Sequence, residues 1–124
     1  MLSRVLVLVA AGVIMSVPVR AHHSHANYDM TQYFNVEGTV TDIHWINPHI
    51  WIYVEVTGDG DNGGARVWAL ETATPGQLER NGITRDTVQV GDTISARCHR
   101  LKDDSNGCLL GYLTGRDGVE RLWD

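Results

Sequence analysis

"HIWIYVEV", residues 49–56, alternates without a break. Ile50, Ile52, Val54 and Val56 fall on one face, and His49, Trp51, Tyr53 and Glu55 fall on the other. A period of two in β-branched and aromatic residues is the pattern of a strand with one apolar face. On its N-terminal side stands "NPH", Asn47 to His49, with turn chemistry, because Pro48 has no N–H to give a ladder. Before that turn, "VEGTVTDIHWI", Val36 to Ile46, is rich in β-branched residues and predicts a first strand, with Gly38 marking a bulge or bend. On the other side, "TGDGDNGG", Thr57 to Gly64, reads as a flexible hairpin loop, and "ARVWALET", Ala65 to Thr72, as a third strand. The loop lacks the alternating Asp register and the closing Glu of a calcium-binding loop.

The remaining chain continues the pattern. "TPGQLERNG", Thr74 to Gly82, predicts a short helix with Thr74 as N-cap, Pro75 at the first helical position and Gly82 at the stop. A fourth strand is expected over about Thr93 to Leu101, a fifth in "GCLLGYLTG", and a final turn and strand in "RDGVERLWD". Three strands, a helix, then two or three strands is the order of the oligonucleotide/oligosaccharide-binding (OB) barrel. A small antiparallel sandwich is the competing architecture, but it seldom places a lone helix there. The expected fold is therefore all-β with one short helix: a small OB-like, five-stranded antiparallel barrel over residues 36–124.

Upstream of the barrel the composition changes twice. Met1 to Arg4 is a short basic segment, Val5 to Val17 is an almost unbroken apolar run, and Pro18 to Ala21 supplies a breaker and a small residue. This is the layout of a secretory signal peptide over residues 1–21. The apolar run is shorter than the ~20 residues a membrane-crossing helix needs, so membrane contact is expected only through a leader that stays attached. Residues 22–35 show neither helical nor strand periodicity and read as a His-rich arm. The expected destination is the periplasm or the exterior of a bacterial cell. Without Arg4 and Arg20 the basic count falls from 10 to 8 against 15 acidic side chains, a net charge of −7. That balance argues against nucleic acid, which demands clustered Lys and Arg.

Export makes Cys98 and Cys108 a candidate disulfide across the turn-like "KDDSNG". Two free thiols, or Cys98 and His99 as soft metal ligands, are the alternatives. His99 itself reads as a surface strand residue.

Taken together, "HHSHANYD", "VEGTVTDIHWINPHIWIYVEV", "WALETATPGQLERNGITRDTVQVGDTI" and "GYLTGRDG" resemble a family of small exported bacterial proteins that carries a domain-of-unknown-function label. The resemblance spans essentially the whole chain after the leader. The NPH turn and the "WALE…P..L.R.G" segment are its most specific parts. It implies an exported protein without an assigned biochemical role.

The chemistry-bearing residues cluster near the new chain end. His22, His23 and His25 occupy three of four positions, and imidazole is the commonest protein ligand for copper, zinc and nickel. Cleavage after Ala21 would give His22 both an α-amino group and an imidazole, the pair used in the histidine brace of some copper proteins. Cleavage after Arg20 would place His23 third, so that the amine, two amides and an imidazole could hold Cu(II) or Ni(II) in a plane. The alternative is a hydrophilic arm with no specific ligand. His49 is the expected fourth ligand, with Asp29, His44 and Glu71 as additional candidates. For His49 the competing role is structural, an imidazole bonded to a turn carbonyl. Trp51, Tyr53 and Trp68 are candidates for a ligand-binding face, or else for core and rim packing. Two functional classes follow. One is a metal-binding protein, with copper favoured over zinc or nickel. The other is a non-catalytic OB-like module whose aromatic face binds a periplasmic protein or a small ligand. No nucleophile elbow, Cys-x-x-Cys or phosphate-cradling loop is present, so enzymatic activity is the less favoured class.

Overall fold

The computed structural model describes residues 25–124. The expected leader, and with it His22 and His23, lies outside the described residues. The strand and helix order is the one read from the sequence. It runs β1 (Phe34–His44), β2 (Trp51–Thr57), β3 (Ala65–Glu71), α1 (Pro75–Arg80), β4 (Thr93–Arg100), β5 (Gly107–Thr114) and β6 (Glu120–Leu122). Strand β1 begins inside the expected arm, two residues ahead of Val36.

The barrel closes in the order β1-β2-β3-β5-β4 and back to β1, with β6 added to β5. All contacts between neighbours are antiparallel except β3–β5, which is parallel through Ala69–Gly107, Leu70–Cys108 and Glu71–Leu109. The expected OB-like five-stranded barrel is present, and its one parallel seam has a topological reason. Strand directions cannot alternate all the way round a closed ring with an odd number of members, so one seam must be parallel. The sheet is therefore mixed.

Strand β1 serves two partners. Its first half pairs with β4 and its second half with β2, and Thr39 lies opposite both Thr93 and Glu55. The register shift of β1 falls between Val40 and Asp42, a bulge that bends the strand as it changes partner. Gly38 sits two residues before it, where the backbone of β2 crosses so closely that a Cβ would stand 2.1 Å from the Glu55 carbonyl oxygen. The glycine thus permits a close approach and is not itself the bulged residue.

The apolar alternation of β2 is realised as expected: Ile52 and Val54 are fully buried, with Val56 partly so. They meet Val36, Val40, Trp68, Leu70, Ile94, Ala96, Leu110 and Leu113 in the barrel interior. Helix α1 has the expected ends. The Thr74 side chain accepts from the Gln77 N–H, Pro75 opens the helix, and Gly82 follows in the left-handed region at φ +79°. Leu78 and Ile83 from this segment join the core.

Cys98 and Cys108 are joined by a disulfide, with Cα atoms 5.6 Å apart. They are not direct register partners: Cys98 faces Leu110, and Arg100 faces Cys108. The bridge is a diagonal one, and both half-cystines are fully buried.

Candidate functional site

The described part of the arm folds back on the barrel instead of leading away from it. Tyr28 forms a β-bridge with Leu101, the Asp29 N–H donates to the Arg100 carbonyl at 2.8 Å, and the Lys102 N–H donates to the Asn27 carbonyl at 2.9 Å. The His99 Nδ1–H donates to the carbonyls of Asp29 (3.1 Å) and Gln32 (2.8 Å). Two carbonyl acceptors at one ring nitrogen require the proton there. Tyr33 stacks on the His99 ring at 4.5 Å. Arg97 lies over both Tyr33 and Tyr112 and is held by Glu120. His99 is therefore buried under the arm, contrary to its expected place on an open strand surface.

This docking brings Tyr28 to Glu71. The Tyr28 hydroxyl donates to Glu71 Oε2. Burial, followed by the hydrogen bond and the charge of Glu71, pushes the phenol well above its usual pKa, so it remains a neutral donor. On the other side of the carboxylate, Glu71 Oε1 lies 3.8 Å from His49 Nε2. His49 Nδ1–H donates to the Thr72 carbonyl at 2.6 Å, which places a proton on Nδ1. Tyr28, Glu71 and His49 thus form one cluster in which a single carboxylate joins the arm to the barrel. Both His49 and Glu71 are mostly shielded, with side chains 21% and 12% exposed. Of the residues anticipated from the sequence, His49 and Glu71 meet here. Tyr28 was missed, because its role depends on the arm reversing direction, and no periodicity signals that.

The other expected ligands are elsewhere. The Asp29 carboxylate accepts from the Thr31 N–H, the Thr31 hydroxyl and the Gln32 amide, and the Thr31 bonds hold its pKa below the usual value. It closes its own turn and does not reach His49. His44 is bonded to Asp42 at 2.9 Å and lies edge-on to Tyr53. In register, His44 faces Trp51 and Trp51 faces Glu71, so His44 is two strands from Glu71, about 10 Å at the ordinary interstrand spacing. His25 is exposed, and its carbonyl accepts from the Tyr28 N–H. Among the described residues no three His, Cys, Asp or Glu side chains stand together as a metal site. His22 and His23 lie outside the described residues.

The aromatic face is also revised. Trp51 and Tyr53 occupy the outward side of β2, partly exposed. Trp68 pairs with inward Val54, is only 2% exposed, packs on Phe34, and donates its indole N–H to Asp59 at 2.7 Å. Trp68 is a core residue, because its parity on β3 matches Leu70 and not Glu71.

No curated protein matches the chain. Among solved structures, the chain resembles the mitochondrial single-stranded DNA binding protein Rim1 from S. cerevisiae. The TM-score is 0.52 over 72% of this chain and 94% of that one, at 6% sequence identity. At that identity the likeness is one of fold, and it agrees with the OB-like barrel described above. Residues 10–110 match the family described as "Family of unknown function (DUF6152)", and the chain belongs to that family.

Proposed function

We propose that the protein is a metal-binding protein, with copper as the favoured ion, whose site is completed when the N-terminal histidines meet His49 and Glu71. The observation that carries this reading is the His49–Glu71 pair. Metal-ligating histidines characteristically donate one ring N–H to a carbonyl or carboxylate and coordinate through the other nitrogen. His49 has that arrangement, with Nδ1–H on Thr72 and Nε2 on the side of Glu71. His49 Nε2 and Glu71 Oε1 stand 3.8 Å apart. Metal bonds of about 2.0–2.2 Å to each atom would span that gap. The Tyr28 bond to Glu71 adds the third element, since it fixes the arm six residues after His22.

The test is calorimetric titration of Cu(II) and Zn(II) into protein beginning at His22, with intact-mass spectrometry of the exported protein to establish its first residue. One ion per chain is expected, with copper tighter. His22→Ala and His49→Ala should each weaken binding by at least about tenfold. Micromolar or weaker affinity that neither substitution changes would sink the proposal.

A second reading rests on Trp51 and Tyr53, which stand side by side outward on β2 with Ala69 opposite Tyr53. They offer a flat aromatic step on which a non-catalytic module could take a small ligand or a periplasmic protein. This reading expects Trp51→Ala to abolish binding while chelation of metal changes nothing.

A further inference from the structure

A cleft lies between the arm and the β4–β5 hairpin, apart from the His49–Glu71 pair. It has a volume of about 510 Å³, and Arg100, Lys102, Asp29 and Asp104 line it together with Tyr33 and Phe34. That is the size of a small-molecule site. Its most distinctive group is Arg100. The guanidinium lies over Phe34 at 5.0 Å and over Trp68 at 5.4 Å. Two rings hold its plane in one orientation, which reduces the entropy lost when it binds a partner. Its Nε–H is enclosed and has no hydrogen-bond partner, the condition in which a charged donor is most costly.

The acids beside it engage it only weakly. Asp29 is committed to Thr31 and Gln32. Asp104 comes no closer than 4.0 Å to Nε, and its own side chain is 86% exposed. Lys102 adds a second cation to the wall, and Tyr33, Phe34 and Leu101 supply apolar surface. We propose that this cleft binds a small carboxylate with an apolar or aromatic body: the carboxylate on Arg100 with Lys102 nearby, the body against Tyr33, Phe34 and Leu101. A planar carboxylate matches the planar guanidinium fork, and the apolar wall gives inorganic oxyanions no comparable contact.

Benzoate is a suitable probe, titrated into the full folded protein with a chelator present so that metal plays no part. The arginine Nε–H and Gln32 amide signals are followed by NMR. Saturable shifts at Arg100 are expected, with none from benzyl alcohol and much weaker binding of inorganic phosphate. Asp104→Asn, a change at an exposed side chain, should tighten benzoate several-fold by removing the internal competitor. Arg100→Gln should weaken it by at least about tenfold. Phosphate binding as tight as benzoate would overturn the assignment. So would shifts that never saturate, or an Asp104→Asn protein with unchanged affinity.

Discussion

Glu71 links the arm to the barrel, and its two oxygens face different ways: Oε2 toward Tyr28 and Oε1 toward His49. Removing the phenol hydroxyl leaves the carboxylate short of a donor in a shielded place. Tyr28→Phe is therefore expected to destabilise the fold by about 1.5–3 kcal/mol, as for a hydrogen bond to a charged group, read from urea unfolding midpoints. The sign of the pH dependence follows from the same groups. The Tyr28 phenol is raised in the folded state, so its contribution is intact below its ordinary value of 10.0 and is lost as pH rises beyond it. Asp29, Asp103 and Asp117 are lowered by bonds to Thr31, Ser105 and Arg121, the last to about 2. Their contributions are present above 3.8 and fade as pH falls below it. Unfolding midpoints should be flat across the neutral range and decline at both extremes. A loss centred near neutrality would point to histidines instead.

Two features of the strands control closure of the barrel. At Gly38 the β2 backbone crosses β1, and Gly38→Ala would force a methyl onto the Glu55 carbonyl and against Val54 Cγ1. A cost of at least about 3 kcal/mol is expected, measured by chemical denaturation, or else a failure to fold. The Cys98–Cys108 bridge ties β4 to β5 inside the core across a sequence separation of 10. Reduction, or the double substitution to Ala, should lower stability by about 2–3 kcal/mol in the chain-entropy account, seen as a shift in thermal midpoint with reductant. Much of this scale was legible in the sequence. Period-two alternation identifies β2, and Thr74, Pro75 and Gly82 bracket the helix, because these signals depend on local sterics and backbone hydrogen bonding. The parity of Trp68 was read less well: the sequence left its role open between a ligand face and the core, and only pairing with Val54 assigns its side.

Across the molecule the arm is an integral layer, since Asp29, Gln32 and Tyr33 cover His99, which is buried on what would be the outer surface of β4. Hydrogen exchange should show protection of the Asp29 amide, which donates to Arg100, and of the Lys102 amide, which donates to Asn27 of the arm. Exchange at the rate of an unstructured chain would mean that the arm is undocked. The sequence was sufficient for the order of elements, the inward face of β2, the helix ends and the choice of His49 and Glu71 as candidates, all of which follow from short-range patterns of side-chain type. The meeting of His49 with Glu71, the arrival of Tyr28, the separation of His44 and Asp29 from them, and the parallel β3–β5 seam depend on contacts between segments far apart in the chain. A period or a cap records what its immediate neighbours require. It carries no information about which distant strand will lie alongside, and that is settled when the barrel closes and the arm folds over it.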